Sequence, residues 1–174
     1  VTIAMSWERR MIPFKVEADV HGLQVAAFES DFRTTRPYYD YIAAASYCVR
    51  HDIALHKPPE WMDRAIYFRI MGEKNFRTLS TKASVLMKMN RIDDAKKVME
   101  EAIPLGEVTD VHYYGRALLN LKQKEEAFKV FKFNYDKSPN VFTTNVGMGR
   151  GYAAMGDFKK ALTYMKAGLP QAPH

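Results

Sequence analysis

The sequence predicts a mainly α fold, an α–α superhelix of about four helical hairpins behind a short N-terminal β-strand pair. Three observations carry this. Two stretches between Tyr114 and Pro173 superimpose at a spacing of 34 residues, with Gly115 matching Gly149, Arg116 matching Arg150, Ala127 matching Ala161 and Pro139 matching Pro173. Each stretch reads as two short amphipathic helices parted by a polar break, Lys122-Gln123-Lys124 in one and Gly156-Asp157 in the other. A fixed period of this length marks stacked helical units, because one hairpin cannot bury its apolar face alone. At the other end of the chain, Val1, Ile3, Met5 and Trp7 alternate with small or polar residues, which is the period of a half-buried strand.

Taken in order, the first alternation is followed by a second at Ile12, Phe14 and Val16, so residues 1–18 read as a strand pair. Pro13 places its strand at an edge, since proline cannot donate to a ladder. Two strands do not bury an apolar face by themselves. They are expected either to lie on the helices that follow or to complete a sheet whose earlier strands precede Val1. Residues 19–36 read as a linking helix, with Asp19 as N-cap and a helical pattern to Phe32, before Pro37 breaks it.

Residues 37–174 then form the repeat domain. Its first hairpin pairs a helix over Tyr38 to Arg50 with one from Pro58 to about Met71, across a long link from His51 to Lys57. The second joins Thr78–Met89 to Asp93–Ile103, the third Thr109–Leu121 to Lys124–Asp136, and the fourth Thr143–Met155 to Asp157–Leu169. Pro139 and Pro173 fall just beyond the second helices of the last two hairpins, where each helix must stop.

Composition excludes several function classes. No apolar stretch approaches the roughly 20 residues of a membrane-spanning helix. The one cysteine, Cys48, sits in an alanine-rich helical pattern and reads as a small core residue. The five histidines, His21, His51, His56, His112 and His174, show no ligand spacing, so no metal is expected. No catalytic residue and no cofactor site is expected either. The net charge of +6 comes entirely from residues 77–174, where sixteen basic side chains face ten acidic ones. Lys129, Lys132, Lys159, Lys160 and Lys166 fall on outward positions of second helices, so the excess reads as a solvated face and nucleic acid is not an expected partner. Met87, Met89, Met99, Met148, Met155 and Met165 read as core.

The repeats resemble tetratricopeptide (TPR) repeats, in which a small residue, an aromatic three later, an alanine at a tight crossing, a large apolar residue and a closing proline recur. The last repeat offers Gly149, Tyr152, Ala161, Met165 and Pro173. The one before offers Gly115, Leu118, Ala127, Phe131 and Pro139, with Asn134 in place of a second alanine. An earlier one offers Ala83, Leu86, Ala95, Met99 and Ala102 without the proline. The first hairpin departs most, with Pro58 where the tight alanine belongs. The match is fullest over residues 109–173. A second resemblance, on Ser6-Trp7-Glu8 and Ile12-Pro13-Phe14-Lys15-Val16 leading into helical hairpins, is to the C-terminal part of a bacterial domain family of unknown function. It implies a preceding β-sandwich, hence a chain cut at Val1, and a periplasmic or secreted location.

The TPR resemblance implies a non-enzymatic module that binds a protein or peptide on its concave face, which the first helix of each hairpin lines. Arg116 and Arg150 are then the leading candidates. Two guanidinium groups one repeat apart suit a carboxylate or an acidic peptide, and bracing of adjacent repeats by ion pairs is the structural alternative. His112, Asn120, Ser84, Lys88 and Thr143 are expected on the same wall. A rival reading makes the repeats an appendage of a missing N-terminal β domain that carries the function. The final hairpin lacks a covering helix, and a homodimer through it is expected.

Overall fold

The computed structural model describes residues 2–15 and 17–172. Val1, Val16, Pro173 and His174 lie outside them, and with them the end positions of the strand alternation and the closing proline of the last repeat. Strands β1 (Thr2–Trp7) and β2 (Arg10–Lys15) are followed by helices α1 (Val20–Asp31), α2 (Tyr38–His51), α3 (Pro58–Tyr67), α4 (Phe76–Lys88) and α5 (Ile92–Ala102). After a 3₁₀ turn at Ile103–Leu105 come α6 (Val108–Asn120), α7 (Lys124–Lys137), α8 (Phe142–Ala154) and α9 (Phe158–Gly168), then a second 3₁₀ turn at Leu169–Gln171. The pairs α2/α3, α4/α5, α6/α7 and α8/α9 are four antiparallel hairpins stacked into the expected α–α superhelix.

The strand pair is antiparallel, with Ile3 opposite Phe14 and Met5 opposite Ile12, so Ile3, Met5, Trp7, Ile12 and Phe14 share one face. All twelve residues are exposed, Trp7 at 79%. The pair therefore does not lie on the following helices, which removes the first of its two expected placements.

Local chemistry explains where the helices start and stop. Asp19 caps α1 by accepting the Gly22 N–H at 2.8 Å. α4 begins two residues earlier than its apolar pattern suggests, because Asn75 accepts the Thr78 N–H while the Thr78 hydroxyl accepts the Asn75 N–H, a reciprocal capping box. α3 ends at Tyr67 and not near Met71. There the chain doubles back on the helix end, with the Gly72 N–H donating to the Phe68 carbonyl and the Glu73 N–H to the Ala65 carbonyl, both at 2.8 Å. Only a glycine fits that turn: a Cβ at Gly72 would stand 2.6 Å from the Phe68 main chain.

The last three hairpins share one turn. Asn90, Lys122 and Gly156 all take left-handed backbone (φ 60, 62 and 86). The residue after each sends its N–H back to the preceding helix, Arg91 to Leu86, Gln123 to Leu118 and Asp157 to Tyr152. Three otherwise different sequences are closed by one hydrogen-bond pattern that satisfies orphan helix carbonyls.

The core falls into three clusters. Phe32, Tyr41, Cys48, Trp61 and Met62 fill the first, among α1 to α3, with Cys48 wholly buried. Leu79, Ala83, Leu86, Ala95 and Met99 fill the second, between α4 and α5. Val111, Leu118, Ala127, Phe131 and Met148 fill the third, among α6 to α8. Partly buried Ile103 and Tyr114 touch both the second and the third. The methionines divide: Met99 and Met148 are core as expected, whereas Met87, Met155 and Met165 are exposed. The lysines expected to face water, from Lys129 to Lys166, do so.

Candidate functional site

The first helices α2, α4, α6 and α8 present the side chains on which the candidate site rests. Consecutive stacking is uneven. α2 and α3 pack on α4, and α6 and α7 pack on α8, but α4 and α5 approach α6 only sparsely. Glycines account for the tight junction. Phe131 fits against Gly115 and Gly147, and Phe128 against Gly151, at distances no Cβ would allow or only just allow. The junction between the second and third hairpins has one such glycine, Gly106 against Phe76 and Val111, and elsewhere along it a cavity of about 450 Å³ opens.

That cavity is walled by Ala83, Met87, Met99, Tyr114, Leu118 and Leu121, with Ser84, Lys88 and Lys96 also in its lining. A neighbouring depression of about 260 Å³ shares Val49, Ser80 and Ser84 with it and adds Ser46, Arg50 and Thr81. A third, of about 150 Å³, lies further along between α6 and α8, lined by His112, Arg116 and Thr143 with Thr109, Tyr113, Phe142 and Val146. Among the described residues, no Asp or Glu lines any of the three, and each holds at least one Lys or Arg.

The expected site residues are thus divided. Arg116, His112 and Thr143 come together in the third depression, and Ser84 and Lys88 in the first, while Asn120 is exposed and lines neither. Arg150 is exposed and outside the lining, yet close enough for its charge to act on His112. Among the described residues neither arginine forms an ion pair. Arg116 instead lies over the Tyr113 ring, 5.6 Å from its centroid.

His112 is not a groove-surface residue. It is 7% exposed and sits 5.6 Å, ring to ring, from Phe131. Burial first, then the charges of Arg150 and Arg116, hold its imidazole below the usual range, against an opposing main-chain hydrogen bond at Thr143. A neutral imidazole beneath two unneutralised guanidinium groups leaves a locally positive wall. The start of α8 adds to it: Phe142 and Thr143 open that helix, and its N-cap Val141 has no side chain to take their N–H groups. Lys88 is less free, being 3.3 Å from Asp52.

Sequence reasoning missed the apolar walls of the large cavity. Met87, Leu121 and Tyr114 have the helical spacing of core residues, and the exposure of Met87 and Leu121 follows from a junction that spacing does not report. It also missed one pairing: the rings of His21 and His51, thirty positions apart, lie 4.7 Å from each other at a tilt of 41°, and His21 Nδ1 lies 2.8 Å from the Tyr47 hydroxyl. Among the described residues, no group of three or more His, Cys, Asp or Glu side chains converges as a metal site would. No described helix is long and apolar enough to cross a membrane.

Comparison with known proteins agrees with this architecture. The tetratricopeptide-repeat family matches residues 76–105, the α4/α5 hairpin with its 3₁₀ turn. That is not the pair of repeats over 109–173 in which the sequence pattern is fullest. No curated protein gives a significant match. Among solved structures, the chain is similar to a crystal structure of MamA, with a TM-score of 0.53 and 12% identity over 90% of this chain and 96% of that one. It is also similar to YrrB, described as a TPR protein with an unusual peptide-binding site, with a TM-score of 0.51 and 19% identity over 88% of this chain and 80% of that one. The stacked hairpins, the matched repeat and these shared folds make this chain a TPR-like helical-repeat protein.

Proposed function

We propose that the chain is a non-enzymatic interaction module whose first-helix wall takes an acidic peptide, with Arg116 and Arg150 as the principal charge contacts. The observation that carries this is the sign of the wall. Three depressions along the first helices hold Arg50, Lys88, Lys96 and Arg116 and no carboxylate in their linings. Thr143 and the open start of α8 would donate to a carboxylate held by Arg116, and His112 would back that site without entering it. Ser84 and Lys88 would serve the other end of the peptide. Asn120 stands outside both ends.

Fluorescence anisotropy with a labelled acidic octapeptide tests this. The double variant Arg116→Ala/Arg150→Ala is expected to weaken binding at least tenfold, and undiminished binding would remove the arginines from the site. Retention of single-stranded DNA at low salt, falling steeply as salt is raised, would instead favour a nucleic-acid partner.

A second reading concerns self-association. Phe158, Leu162, Met165 and Leu169 form one exposed stripe along α9 and into the turn after it at spacings of four, three and four residues, the face that a following helix would cover in a longer array. We infer that a second copy covers it. Light scattering should then give a dimer for the wild type and a monomer for Leu162→Glu; a monomeric wild type at high concentration excludes this.

A further inference from the structure

We infer that the cavity between the second and third hairpins is an anchor pocket for one large apolar side chain, carried by the same acidic peptide and flanked by its carboxylates. This rests on the peptide reading above and adds what the peptide must contain. The pocket has a floor and a mouth. Ala83, Met99 and Leu118 are buried at its base, whereas Met87 and Leu121 are exposed at its opening. At about 450 Å³ it lies within the range of ligand-sized sites and has room for a leucine, methionine or phenylalanine side chain.

The surroundings select the occupant. Lys96 and Lys88 line the apolar pocket, Lys96 with no ion pair among the described residues and Lys88 paired with Asp52 just outside, so an apolar residue entering it brings its neighbours past ammonium groups, and no carboxylate lines the pocket itself. Next to it, Ser80, Thr81 and Ser84 donate their hydroxyl protons to the Arg77 and Ser80 carbonyls of their own helix. Their oxygen lone pairs remain for the N–H groups of a peptide main chain, and Arg50 closes that end. An extended acidic segment with one apolar residue therefore meets matching chemistry along its length. The two methionine walls adapt in shape, so the pocket should accept a class of large apolar side chains and not one residue type.

The test uses the full chain, immobilised, and a library of octapeptides that are acidic at every position except one randomised central position. The expected result is enrichment of leucine, methionine and phenylalanine over serine and asparagine at that position by at least tenfold. Ala117→Trp, which fills the pocket from an exposed position in its lining, should abolish the preference while leaving acidic peptides bound through Arg116 and Arg150. Shifts of the Met87 and Met99 methyl resonances in the wild type on addition of an enriched peptide provide a readout that does not depend on that variant folding. Retention without central preference overturns the anchor pocket and leaves the peptide reading standing. A preference that persists in Ala117→Trp with unmoved methionine methyls also overturns it, and no retention of any peptide removes both.

Discussion

The Phe131 ring lies against the bare Cα of Gly115: a Cβ at that glycine would stand 2.5 Å from Phe131 Cε1. Phe131 is wholly buried and also packs against His112 and Gly147, so it has nowhere to move. Overpacking of this kind costs about 1–3 kcal/mol, and alanine's better helix propensity returns about 1 kcal/mol at most. Gly115→Ala is expected to lower stability by about 1–2 kcal/mol in urea unfolding. Gly149→Ala meets Met165, a flexible side chain at the surface, and should cost less. Equal losses at the two glycines would refute this account of the packing.

The shared hairpin turn supplies a second expectation. Lys122 holds φ 62 at the step where the last hairpin has Gly156. An L side chain pays roughly 1–2 kcal/mol for that conformation, and glycine gives part of this back in unfolded-chain entropy. Lys122→Gly should therefore stabilise the chain by about 0.5–1 kcal/mol, seen as a higher melting temperature. A lower one would mean that the lysine side chain makes contacts that outweigh its backbone strain.

Thr78 is fully buried at the start of α4, donates its hydroxyl proton to the Glu73 carbonyl at 2.8 Å and accepts from the Asn75 N–H. Thr78→Val keeps the shape and removes both bonds, with an expected loss of about 1–2 kcal/mol. Thr78→Ser keeps the hydroxyl and should recover most of it. If serine and valine are equally destabilising, the methyl packing and not the cap is what matters.

The depressed imidazole of His112 links stability to pH. Its folded-state pKa lies below its unfolded value, so in acid the unfolded chain binds the proton first. Stability should fall as pH drops below about 6.5, the ordinary histidine value, and stop falling on this account once the folded pKa is passed. His112→Gln should flatten that part of the profile. Arg150→Ala should move the His112 titration upward in NMR, since burial is the larger cause and the arginine charge the next.

The hairpins were legible because their causes are local. Apolar residues at helical spacing, a break, and a small residue set against a large one all fall within one repeat, and the pairs Gly115 with Phe131 and Gly149 with Met165 meet as that pattern implies. Asn134 was legible only as a departure from the pattern. In the fold it is buried and its amide donates to the Val108 carbonyl at 2.8 Å, tying α7 to the start of α6. Of the candidate site, the recurrence of Arg116 and Arg150 one repeat apart could be read from the sequence, but the burial of His112 could not, because Phe131 and Gly147 reach it from neighbouring helices.

The sequence by itself determined that this chain forms stacked helical hairpins, since periodicity, caps and turns act over a few residues and need no distant partner. Only the tertiary structure decided which junctions close. Gly147 and Gly151 let α8 settle on the phenylalanines of α7, whereas α4 and α5 meet α6 across a gap that no single repeat encodes. The fit between hairpins depends on the summed volumes of side chains from several helices, and so Met87 and Leu121, core-like in spacing, become the open mouth of a pocket.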